Sequence, residues 1–158
     1  MARRYLSSSV ALLVVVVALV TGPVVGVDVT SDPPSAFGDG TATVDEVAVE
    51  TETLRVTGGR FGTGVEYVRV PTATVTVATV TDRPRLVYVV AVPGLDIELT
   101  DSVVVTDAGT YRLDPGDRGL ESGSATATQY EGRVAVRVQS FTDAKTVYRE
   151  NATVEVAT

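Results

Sequence analysis

Several groups of side chains in this 158-residue chain are spaced closely enough to act together on something outside it. Asp114-Pro115-Gly116-Asp117-Arg118-Gly119, with Glu121 just beyond, gathers carboxylate oxygens in one turn, the ligand type that calcium takes in sets of roughly six to eight. Asp114, Asp117 and Glu121 fall short of such a set and do not follow EF-hand spacing. Asp96, Glu98 and Asp101 form a second acidic set. Strand alternation puts Asp96 and Glu98 on a common face, where a carboxylate pair would suit glycoside hydrolysis. Gly58-Gly59-Arg60-Phe61-Gly62-Thr63-Gly64, with Arg55 and Arg69 nearby, has the glycines of an anion cradle. It lacks the lysine of a phosphate loop, the third glycine of a dinucleotide fingerprint and the helix that both require. The expectation is a turn between two strands, with Phe61 folded onto the core. Arg83-Pro84-Arg85 and the outward pair Arg133 and Arg137 are the basic concentrations, and they would suit an acidic partner. The expectation is that they pair with surrounding carboxylates, in exposed ion pairs worth about 0–1 kcal/mol each. Asn151-Ala152-Thr153 is an N-glycosylation acceptor.

Composition removes whole classes of chemistry. The chain has neither cysteine nor histidine. Disulfides, a thiolate nucleophile, a Cys or His zinc site and a Ser-His-Asp triad are all excluded. An enzyme would have to run on Asp, Glu, Ser, Thr, Tyr or Arg alone, and no arrangement of these stands out. No catalytic, metal or cofactor residue is nominated, and the expectation is a non-enzyme without cofactor. With 20 Asp plus Glu against 13 Lys plus Arg, the net charge is −7, which argues against nucleic acid and anionic lipid as partners. Both acidic sets therefore read as solvated surface. Self-repulsion among the carboxylates opposes the compact state, and salt screens it, with a Debye length of about 3 Å at 1 M. Stability is expected to rise with ionic strength.

The elements that must position these residues begin after an N-terminal segment of different character. Arg3 and Arg4 precede Ser7 to Ser9, an unbroken apolar run covers Val10 to Val20, and Thr21-Gly22-Pro23 closes it. A positive start, an apolar core and a helix-breaking exit mark residues 1–27 as a signal peptide or a membrane-anchoring apolar helix. Val10 to Val20 alone, at about 1.5 Å per residue, spans only half of a roughly 30 Å hydrocarbon core, whereas Tyr5 to Val27 reaches across it. Cleavage before Val27 and retention as an anchor both remain open. Arg3-Arg4-Tyr5-Leu6 partly resembles a twin-arginine signal, with Ser7 where a second apolar residue would stand. Under either reading the C-terminal body lies outside the cytoplasm, by the positive-inside rule. Residues 28–40, with Pro33-Pro34 and Gly38-Asp39-Gly40, read as a stiff linker, and residues 41–158 as one domain.

Within that domain almost every segment alternates with period two. Val134, Val136 and Val138 point one way, and Arg133, Ala135, Arg137 and Gln139 the other. Val75 with Val77, and Val154 with Val156, repeat the pattern. Leu86 to Val92 is nearly all apolar and predicts a central strand covered on both faces. Val103 to Val105 is a shorter run of the same kind. Glycine, proline and aspartate punctuate the strands at short intervals, so the fold class is all-β, an antiparallel β-sandwich. Asp107-Ala108-Gly109-Thr110-Tyr111 is similar to the D-x-G-x-Y corner of immunoglobulin-like domains, where the tyrosine hydroxyl ties the turn. Leu113 stands where antibody domains carry cysteine, and too much chain follows for this to be the penultimate strand.

Arg60 to Pro71 and Tyr130 to Val156 resemble exported proteins of halophilic archaea, and the acidic, nearly lysine-free composition agrees with that likeness. The layout, one N-terminal helix joined to an outside β-domain, also resembles archaellum-associated stator proteins. The function expected is a cell-surface structural or protein-interaction module, attached to the cell membrane through its N-terminal segment and meeting a partner protein of the envelope. The alternative is a secreted solute- or calcium-binding protein using the Asp114 to Glu121 loop.

Overall fold

The computed structural model describes residues 39–59 and 64–157, which form ten strands in two sheets. The expected signal or anchor helix, the linker up to residue 38, and Arg60 with Phe61 lie outside the described residues. The strands are β1 (Gly40–Val49), β2 (Arg55–Gly58), β3 (Glu66–Arg69), β4 (Ala73–Asp82), β5 (Arg85–Val92), β6 (Ile97–Val104), β7 (Gly109–Leu113), β8 (Arg118–Leu120), β9 (Gln129–Gln139) and β10 (Ala144–Ala157). A small sheet has the order β1-β4-β7, and a large one the order β6-β5-β9-β10-β2-β3-β8.

Alternating valines drive the sheets together. Val75, Val77 and Leu113 of the small sheet share a buried cluster with Leu86, Tyr88, Val90, Val134, Val136 and Val154 of the large one. Each such Val or Leu contributes about 1.5–3 kcal/mol on burial. The fold is thus all-β and sandwich-like, with one correction to the antiparallel expectation: β2 runs parallel to β10, pairing Arg55 with Glu155 and Val56 with Val156. The cause is local. After β1 the 3-10 turn Thr51–Thr53 carries the chain from the small sheet to the large one, and Leu54 is buried at the crossing. A strand that changes sheets is not bound to return beside its predecessor as a hairpin does.

A second correction concerns β5. Leu86, Tyr88, Val90 and Val92 are fully buried, but Val87 and Val89 face out of the large sheet and are half-buried. That outer face has no second layer among the described residues. Tyr88 donates its hydroxyl to the Pro71 carbonyl at 3.0 Å, tying the large sheet to the segment that enters β4. Tyr111 donates to the Asp107 carbonyl at 2.7 Å, so the D-x-G-x-Y corner closes on itself, with Gly109 at φ 153°. This corner enters β7 of the small sheet.

The tyrosines carry a pH prediction. Burial, followed by the hydrogen bond to the Glu150 carboxylate, pushes the Tyr148 phenol up to about 12. Burial pushes Tyr88 higher still. Tyr130 accepts the Ala127 N–H at 3.0 Å, which favours the phenolate and lowers its pKa. In an ultraviolet titration Tyr130 should therefore ionise first, Tyr148 later and Tyr88 only with unfolding. For the two raised groups the stability contribution is whole below the ordinary tyrosine value of about 10 and is lost as pH rises through the folded-state value. Unfolding is expected on the alkaline side of pH about 10, and Y148F should delete the titration step near pH 12.

Candidate functional site

Three members of the acidic sets, Asp101, Asp114 and Asp117, are absorbed by the fold. Asp117 forms an ion pair with Arg69 and accepts the Val70 N–H at 3.1 Å. Asp114 accepts the Gly116 N–H at 3.0 Å and lies 3.6 Å from Arg112. Asp101 accepts the N–H groups of Ser102 and Asp114, each at 2.7 Å. These contacts fasten the loop after β7 to β3 and β6. Both oxygens of Asp117 and one of Asp114 therefore already receive N–H donors. Asp96 does not share a face with Glu98: it sits at φ 53° in the left-handed region, ending the 3-10 turn Pro93–Leu95, so strand alternation begins only after it. Among the described residues no group of three acidic side chains is placed to hold a metal ion. The glycine loop joins β2 to β3 as a hairpin, with the Gly59 N–H donating to the Val65 carbonyl at 2.6 Å. Arg69 turns away from it, toward Thr57 and Asp117.

What the structure does assemble is a basic face on the outside of the large sheet. Strand register places side chains in rows across β5, β9 and β10. Val87 lies beside Arg137, Val89 beside Ala135 and Arg149, and Ala91 beside Arg133 and Asn151. Arg133, Arg137 and Arg149 are exposed, whereas Ala91 and Ala135 are only 5% and 4% exposed between them. From strand spacing, Arg133 and Arg137 are about 13 Å apart along β9, and Arg149 stands about 8 Å from each. None of the three is ion-paired to a carboxylate among the described residues. This corrects the expectation that Arg133 and Arg137 pair with neighbouring acids: Ala135, Asn151 and Thr146 adjoin them, and Glu131, exposed on the same face two residues before Arg133, forms no ion pair with it. No two of these arginines are directly opposed, but the three lie within about 13 Å of one another in a chain with 20 acidic residues.

Arg149 reaches this face through a β-bulge. Pairing between β9 and β10 shifts by one residue between Thr146 and Tyr148, which turns Tyr148 inward, opposite Val136, and Arg149 outward, opposite Ala135. Asn151 is exposed on the same face, directly across from Arg133. The sequon Asn151-Ala152-Thr153 borders two open, shallow depressions of about 300 and 380 Å³, with Pro93, Glu131 and Arg133 on one side and Glu52, Arg55 and Glu155 on the other. No protein-family model, curated protein or solved structure matches the chain.

Proposed function

We propose that this protein is a non-catalytic protein-interaction module of the cell surface: an immunoglobulin-like sandwich held outside the cytoplasm by its N-terminal segment and working through its arginine face. The observation that carries the reading is the cluster Arg133, Arg137 and Arg149 around Val87, Val89 and Ala135. Its arginines are exposed, charged against the sign of the whole chain, and free of ion pairs among the described residues. Interfaces that recognise charge combine such arginines with an aliphatic centre that can be dried on contact. The immunoglobulin-like topology is supported by the grouping β1-β4-β7 against β5-β9-β10, which parallels the A-B-E and C-F-G sets of that fold, with β2, β3, β6 and β8 as further strands of the large sheet. The address rests on Arg3, Arg4 and the apolar run Val10 to Val20. A sugar on Asn151 would stand beside Arg133 and narrow the approach to the face.

The test has two parts in native cells: fractionation with mass spectrometry of the N-terminus, and photo-crosslinkers placed singly over the domain surface, Val89 included. Recovery with the membrane or medium, together with protein captured at surface positions, is the expected result. Recovery in the cytosol, or capture of no protein at any position, overturns the reading.

A further inference from the structure

We infer that the occupant of the arginine face is a second copy of this chain, docking the outward side of β1; the inference rests on the interaction-module reading above. The centre of the face on β9 is Arg133-Val134-Ala135-Val136-Arg137. The edge strand β1, continued by one residue, reads Glu46-Val47-Ala48-Val49-Glu50. The two segments are the same sequence with the charges exchanged. In both, the two valines face the core: Val134 and Val136 are fully buried, and Val47 and Val49 pack against the same cluster. In both, the charged residues point outward. Arg133 and Arg137 are exposed on the large sheet, and Glu46, Ala48 and Glu50 are exposed on the small one.

The match is geometric as well as compositional. On an extended chain, side chains on one face recur about every 6.6 Å, so Glu46 and Glu50 are about 13 Å apart, as are Arg133 and Arg137. Laid along β9, β1 of a neighbour sets each carboxylate against a guanidinium and Ala48 against Ala135, with Val87 and Val89 beside the contact. Both segments read the same in either direction, so the pairing holds for parallel and antiparallel docking. Guanidinium is the cation suited to this, being planar and able to meet a carboxylate bidentately. A phosphate or sulfate polymer would use the arginines but not the aliphatic strip, and its length beyond the face would meet a surface of like charge.

The two complementary segments lie on opposite outer faces of the sandwich, one on each sheet. One copy therefore uses different surfaces toward its two neighbours. That is a heterologous, head-to-tail contact, which propagates into a row rather than closing as a two-fold dimer.

The chain has no cysteine, so introduced thiols report one contact only. The full chain in detergent micelles, carrying A48C in one preparation and A135C in another, should form a disulfide on mixing. Arg133→Glu/Arg137→Glu in the A135C chain, or Glu46→Arg/Glu50→Arg in the A48C chain, should each cut the yield about tenfold or more. Combining the two reversed chains should restore it to within about twofold of the unreversed pair. Thermal melts of each variant confirm that exposed charges were changed without loss of the fold. A yield unaffected by reversal, or no A48C–A135C disulfide, overturns the inference. In that case, capture of a different protein at Val89 in cells leaves the interaction reading standing, and capture nowhere on the surface removes that reading as well.

Discussion

Replacing Tyr88 with alanine should cost the domain about 3–5 kcal/mol, on the scale measured for buried aromatics. Against the roughly 5–15 kcal/mol that holds a domain of this kind, the variant should be largely unfolded or close to it. Tyr88 is the largest of the fully buried side chains, sits mid-way along β5, and ends in a hydrogen bond to the Pro71 carbonyl. Two contributions are therefore lost together: the ring that fills the space between the sheets and the donor that satisfies a buried carbonyl. Tyr88→Phe separates them. It keeps the ring and leaves the Pro71 oxygen without its donor, for an expected loss of about 1–3 kcal/mol. Urea unfolding of both variants measures the split, and a Tyr88→Phe protein as stable as the parent would show that the hydrogen bond contributes nothing net.

Gly132→Ala is the second large effect, and it comes from adding a single carbon. A Cβ at Gly132 would lie 2.8 Å from Val154 Cγ2 and 2.9 Å from Leu54 Cδ2, with the Ala152 carbonyl oxygen at 3.4 Å. Leu54 and Val154 are both fully buried, so neither can swing into solvent. Overpacking of this kind costs about 1–3 kcal/mol, and Gly132→Val should exceed Gly132→Ala. Glycine here is a matter of close approach: it lets Leu54, at the point where the chain changes sheets, lie directly on β9. The check is a double-mutant cycle. Leu54→Ala alone should cost about 2–5 kcal/mol by leaving a cavity. Gly132→Ala/Leu54→Ala should be more stable than the sum of the single losses, because the added methyl partly fills the space vacated.

How far the fold could be read from the chain depended on where local rules were in force. β9 was legible from Arg133 to Gln139, where Val134, Val136 and Val138 face the core in strict alternation, but not at its start, from Gln129 through Gly132. β2 was not: four residues are too few for a pattern, and its parallel partner β10 lies nearly a hundred positions away. Asp96 was misplaced because a left-handed residue at the end of a 3-10 turn looks, in sequence, like the start of a strand. The arginine face was legible only in part. Arg133 and Arg137 declare themselves through alternation. Arg149 does not, because unbroken pairing from the Ser140 to Asp143 turn would set it opposite Val134, on the buried side. One extra residue near Val147 reverses that, and nothing in Thr146-Val147-Tyr148 announces the bulge. The half-buried exposure of Val87 and Val89 was hidden for a different reason: a continuous apolar run reads the same whether one face or both are covered.

The position of β10 in the large sheet also bears on when this domain can fold. β2, β3 and β8 connect to β5, β6 and β9 only through β10, which pairs with β9 on one side and β2 on the other. β10 is the last described strand to leave the ribosome. Until residues 144–157 arrive, the sheet exists as two separate halves, and the β2–β3 hairpin has no neighbour to hold it to β9. Closure then joins Arg55–Thr57 to Glu155–Ala157 across most of the chain, a long-range step that is intrinsically slow. A nascent chain that cannot complete its sheet stays open until residues 144–157 have emerged, and an open chain is the form that can be threaded through a narrow pore.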